Sequence, residues 1–127
     1  MIASFSIIHL EKPVDERMNY GGTIFLIRPQ SKLNVEYSRD LWTCIKTMID
    51  GGTVKLVVDM GDISFIDSSG IGTLIVTAKK VRQKSGDIAV IGVSQDILSI
   101  LDMVSFRKFI SIFESEEEAI QFFRNMP

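Results

Sequence analysis

Val54-Lys55-Leu56-Val57-Val58-Asp59-Met60-Gly61-Asp62-Ile63-Ser64-Phe65-Ile66-Asp67-Ser68-Ser69-Gly70-Ile71-Gly72 runs from a buried strand into an amphipathic helix, and its reading decides the fold. Residues 54–58 are short, β-branched and mostly apolar, the pattern of an interior strand covered on both faces, with Asp59 at its C-terminal end. After a short link, Ile71, Leu74, Ile75, Ala78 and Val81 fall at i, i+3, i+4, i+7 and i+10, which predicts a helix with one apolar face. Lys79, Lys80, Arg82 and Lys84 fill the other positions near its C-terminal end, where the helix dipole favours cations, and Gly86 ends it.

Outward from this unit the pattern repeats. Towards the C-terminus, residues 88–93 predict a second buried strand, 95–103 a short helix, 109–113 a last strand and 116–123 a final helix with acids in its first turn. Towards the N-terminus, Asn34 is a good N-cap for a helix over Val35–Asp50 that ends at Gly51-Gly52. Before it, residues 4–9 alternate as a half-buried strand and 23–27 form a more continuous apolar strand stopped near Pro29. An irregular connection over 10–22 carries Pro13 and Gly21-Gly22. The order β-β-α-β-α-β-α-β-α needs crossovers that lay the later strands parallel. The expectation is an α/β sandwich with a mixed, mostly parallel sheet of about 4–5 strands and about four helices, one domain over residues 1–127.

Length and composition agree. A chain of 127 residues is one domain, and 46% hydrophobic with 24% charged residues is ordinary for a globular protein. A net charge of −2 gives no overall attraction to phosphate backbones, so no nucleic-acid partner is expected. Cys44 alone cannot form an internal disulfide, and His9 alone cannot build a His-rich metal cluster. The N-terminal residues lack a basic signal-peptide region and no apolar run approaches a membrane span. A cytoplasmic location without a membrane span is the expectation. A Ser-His-Asp triad would have to use His9, which lies in a strand far along the chain from Ser68 and Ser69.

Chemistry concentrates between Asp59 and Gly72. Loops at the carboxyl ends of parallel strands are where α/β proteins meet ligands and partners, and helix N-termini carry unpaired N–H donors. Ser68 and Ser69 are ordinary helix-capping residues. A phosphoryl group on Ser68 would add about −1.5 to −2 charges, which a helix start tolerates but a partner docked flat beside Asp67 would not. Phosphate there would act as a release switch that leaves the fold intact. Gly70-Ile71-Gly72 lacks the third glycine of a dinucleotide fingerprint, no P-loop motif exists, and neither serine has the flanking glycines of a nucleophile elbow. Close packing of the helix start against the sheet accounts for both glycines. Asp59, Asp62 and Asp67 could suggest magnesium, but a receiver-type site pairs acids at the end of the first strand, where this chain has His9-Leu10-Glu11. Neither a metal nor a cofactor is expected.

Residues 57–72, with Asp67-Ser68-Ser69-Gly70 after a strand, resemble the signature of the STAS domain, best known in bacterial anti-sigma factor antagonists. Residues 100–110 resemble that family's segment joining the third helix to the last strand, and the similarity extends over about residues 22–123. The resemblance implies a non-enzymatic protein that binds an anti-sigma factor, itself a serine kinase of the GHKL ATPase type, and thereby frees a sigma factor. It implies phosphorylation of the serine after the aspartate, Ser68, and reversal by a separate serine phosphatase. Asp67, Ser69, Gly70 and Ile71 would share the contact loop. Antagonists commonly show Gly-x-Leu-Asp before the first helix; here Ser31-Lys32-Leu33-Asn34 stands in its place, so Leu33 and Asn34 join the expected partner-binding residues with a neutral amide where a carboxylate is usual. The alternative function is a STAS scaffold or subunit of a signalling or lipid-transport complex that is never phosphorylated. The sequence does not fix the oligomeric state.

Overall fold

A computed structural model describes residues 7–11 and 23–126, the first of these segments through its backbone. In chain order the elements are strand β1 (Ile7–Glu11), β2 (Ile24–Ile27), β3 (Ser31–Leu33), helix α1 (Val35–Asp50), β4 (Lys55–Asp59), β5 (Ile63–Ile66), α2 (Ser68–Arg82), β6 (Asp87–Ile91), α3 (Gln95–Met103), β7 (Ser111–Phe113) and α4 (Glu116–Arg124). The expected strand residues 4–6, and residues 12–22 of the expected connection, lie outside the described residues.

The main sheet has the order β1-β2-β4-β6-β7. β1 runs antiparallel to β2, and β2, β4, β6 and β7 are mutually parallel, as the alternation of strands and helices requires. Successive residues of the central strands point to opposite faces and feed two cores. Leu56, Val58, Ile88 and Val90 pack with Leu41, Ile45, Leu74, Val81 and Leu101, the apolar stripes of α1, α2 and α3. Val57, Ala89 and Ile91 turn the other way and meet Ala119 and Phe123 of α4. The strands are therefore covered on both faces, which explains why their sequences are continuous runs of Val, Ile and Leu. Cys44 is half-buried on α1, and that burial pushes its thiol pKa up from the ordinary value.

Two differences from the sequence expectation matter. β3 and β5 were not foreseen; they form a separate parallel pair that links the end of β2 to α1 and the end of β4 to α2. The last strand is shorter than residues 109–113. Phe106–Lys108 is a turn of 3-10 helix, the Ile110 N–H donates to the Phe106 carbonyl, and only Ser111–Phe113 pairs with β6. Phe106 and Ile110 are buried by this helical turn, so their apolar character comes from a spacing of four and not from strand alternation. Among the described residues no helix is long and apolar enough to cross a membrane.

Candidate functional site

The small β3–β5 pair brings the starts of α1 and α2 together. Leu33 and Ile66 are register partners, and the Asp67 N–H donates to the Leu33 carbonyl at 3.2 Å. The next residue on each strand is a helix cap. Asn34 is extended, and its Oδ1 accepts the Tyr37 N–H at 3.0 Å. Asp67 is extended as well, and its Oδ1 accepts the N–H groups of Ser69 at 2.9 Å and Gly70 at 3.2 Å. Two N-termini, each with its partial positive charge, therefore lie side by side at one end of the helical layer.

This arrangement corrects the capping expectation. The cap of α2 is Asp67, not a serine; Ser68 and Ser69 occupy the first two helical positions. The carboxylate satisfies the orphan N–H groups of Ser69 and Gly70, so the cap hydrogen bonds come from Asp67 and not from the Ser68 hydroxyl, and Ser68 is exposed. Ser68 therefore stands exposed at the first turn of α2 on a frame fixed by its neighbour's cap.

The remaining expected residues divide by burial. Ser69 and Ile71 are half-buried beside Ser68, and Asn34 and Asp67 are half-buried at the caps. Leu33 is 0% exposed, so its side chain belongs to the core while its carbonyl holds Asp67 in place. Gly70 is buried for a steric reason: a Cβ there would lie 2.7 Å from the Leu33 Cβ and carbonyl oxygen and 2.8 Å from the Ile66 Cγ1. Gly72 is different. A Cβ at that position would meet nothing within 4 Å, so close packing accounts for Gly70 and not for Gly72.

Sequence reasoning missed two flanking apolar residues. Val35, the first residue of α1, is 61% exposed, and Phe65, two residues before Asp67, is 48% exposed. The available signal was weak: each could be assigned to an element, but nothing in the pattern showed that these side chains face away from the core.

The three aspartates do different work. Asp59 at the end of β4 pairs with Arg28 at 3.0 Å through Oδ2, while its Oδ1 accepts the Gly61 N–H at 2.9 Å. Asp67 is the helix cap, and Asp62 is exposed at a turn, its carbonyl accepting the Ser31 N–H. Among the described residues no group of three or more His, Cys, Asp or Glu side chains is arranged to hold a metal ion.

The fold and the paired helix starts define a small α/β domain, a five-stranded main sheet with a two-stranded pair, that presents strand-to-helix loops at one end. The chain belongs to the STAS domain family, whose sequence profile matches residues 8–119. It is 32% identical over 65 residues to the anti-sigma F factor antagonist of Paenibacillus polymyxa, a match covering 51% of this chain and 56% of that protein. It is 24% identical over 91 residues to an anti-sigma-B factor antagonist of Staphylococcus epidermidis, covering 72% and 84%. Among solved structures, the unphosphorylated anti-sigma factor antagonist SpoIIAA superposes with a TM-score of 0.66 at 19% identity, covering 96% of this chain and 99% of SpoIIAA. The phosphorylated form of SpoIIAA, described as a Bacillus cell fate determinant, gives a TM-score of 0.62 at 18% identity over 94% and 98%. These structural likenesses establish a shared fold.

Proposed function

We propose that this chain is an anti-sigma factor antagonist: it binds an anti-sigma factor that is also a GHKL-type serine kinase, frees a sigma factor, and is switched off by phosphorylation of Ser68. In this reading the chain is the kinase's substrate and not an enzyme, a serine phosphatase restores the active form, and the exchange takes place in the cytoplasm. The observation that carries the reading is that Ser68 is exposed at the first position of α2, with the cap supplied by Asp67. The names of the two relatives above support the choice of partner.

The switch follows from charge. A phosphoserine adds about −1.5 to −2 charges and strong acceptor oxygens, and the N-termini of α2 and α1 accommodate them at little cost to folding. A partner covering Val35, Phe65 and Ser68 together would have to bury that dianion beside Asp67. Burying an uncompensated charge costs several kcal/mol, which corresponds to a loss of affinity of tens to thousands of fold.

The test is to incubate the purified chain with ATP and the GHKL-type kinases of its own genome and to map phosphate by mass spectrometry. One kinase is expected to modify Ser68 alone, Ser68→Ala to bind that kinase without being modified, and Ser68→Asp to bind at least about tenfold more weakly. Full-stoichiometry phosphorylation of Ser68→Ala, or partner binding indifferent to Ser68→Asp, refutes the proposal, and the second result is the behaviour of a constitutive scaffold.

A further inference from the structure

The glycine that packing does not explain leads to a second element of the surface. Gly72 lies within α2 in ordinary helical conformation, where glycine is the least favourable residue after proline, yet among the described residues no neighbour lies within 4 Å of where a Cβ would stand. What its missing side chain does is leave space. An open groove of about 360 Å³ runs between α1 and α2, with Val35, Arg39 and Trp42 on one wall and Ser69, Gly72 and Val76 on the other. Spacings of 3–4 residues place each trio along one flank of its helix.

From this we infer that the groove receives an apolar side chain of the anti-sigma factor, carried beside a carboxylate that pairs with Arg39. The inference rests on the proposed function and extends it, naming the second contact of the same partner and the chemistry that fills it.

Three observations fix the occupant. The lining surface is mostly apolar despite the hydroxyls of Ser38, Ser69 and Thr73: Val35 is 61% and Val76 42% exposed, and Trp42 is half-buried against the core. The rim carries one charge, because Arg39 is exposed and forms no ion pair among the described residues, so a carboxylate complements it. The groove is also continuous with the loop that bears the switch. Ser69 is a groove wall and follows Ser68 in the chain, so a protein that covers Ser68 comes within one residue of the groove. Gly72 thus trades helix propensity for an open receptor, and phosphate on Ser68 would sit one residue from its Ser69 wall.

The experiment measures affinity of the full chain for the anti-sigma factor kinase by calorimetry, together with thermal unfolding. Gly72→Leu is expected to fill the groove and weaken binding at least about tenfold while unfolding no earlier than wild type. Arg39→Glu should weaken binding about tenfold, with Arg39→Lys close to wild type. Wild-type affinity in both Gly72→Leu and Arg39→Glu, with Ser68→Asp still impaired, overturns the groove and leaves the proposed function standing. A wild-type chain that binds no such kinase removes both. A wild-type dimer that Gly72→Leu converts to monomer also overturns the inference, because the occupant would then be a second copy of this chain.

Discussion

Asp67 and Ser68 show how one residue's structural duty sets its neighbour free. The carboxylate accepts two backbone N–H groups, one from the buried Gly70, while the adjacent hydroxyl makes no capping bond. Removing an N-cap costs about 1 kcal/mol and up to about 2, whereas truncating an exposed side chain away from such features changes stability by less than about 0.5 kcal/mol. Asp67→Ala is therefore expected to lower unfolding free energy by about 1–2 kcal/mol in urea titrations, and Ser68→Ala to leave it within about 0.5 kcal/mol. The reverse order would mean that the serine, not the aspartate, holds the helix start. The pattern Asp-Ser-Ser-Gly announced a helix start in the sequence, but three consecutive residues could each supply a capping oxygen. The phase of the helix alone could not choose among them, and only the backbone, with Asp67 extended and Ser68 helical, distinguishes cap from first turn. The two glycines were equally alike in sequence, since a requirement for glycine comes from neighbours distant along the chain: Leu33 crowds Gly70 and nothing crowds Gly72.

At the level of elements, the four helices were legible because their apolar residues recur with the helical period and their caps are Asn34, Asp67, Ser94 and Ser115, all good N-cap types. β3 and β5 were not, because strands of three and four residues offer too few positions for alternation to register, and β3 is mostly polar. Their pairing is nonetheless what sets Asn34 beside Asp67. Asn and Asp cap helices about equally well, so Asn34→Asp should keep the fold within about 0.5 kcal/mol while adding a negative charge at the contact surface. If the kinase reads an acid at that place, as the family pattern Gly-x-Leu-Asp implies, Asn34→Asp is expected to phosphorylate faster on Ser68 than wild type in initial-rate measurements. An unchanged rate would show that the amide is as good a contact as the carboxylate, and a slower one that the charge opposes docking.

Across the whole molecule, the sheet separates the layer that carries the candidate site from the layer on its other face. α1, α2 and α3 cover one face and carry the serine and the groove, while among the described residues α4 covers the other with Ala119 and Phe123. Arg28 adds a polar tie at the C-terminal ends of the interior strands, 3.0 Å from Asp59 and 3.9 Å from Glu116, so the ends of β2 and β4 and the start of α4 are pinned together. Such a division predicts that stability and recognition can be altered separately. Phe123 is fully buried, and truncating a buried phenylalanine to alanine costs about 3–5 kcal/mol, a large part of the roughly 5–15 kcal/mol that holds a domain together. Phe123→Ala is expected to unfold at markedly lower urea, yet, measured well below its unfolding temperature, to bind the anti-sigma factor with wild-type affinity and to accept phosphate on Ser68 at the wild-type rate. Sites that share no partners usually contribute independently, and here a complete sheet lies between them. An affinity loss in the folded Phe123→Ala protein would instead show that packing under α4 sets the geometry of the α1–α2 layer, and the sheet would then have to be regarded as a transmitter between the two faces.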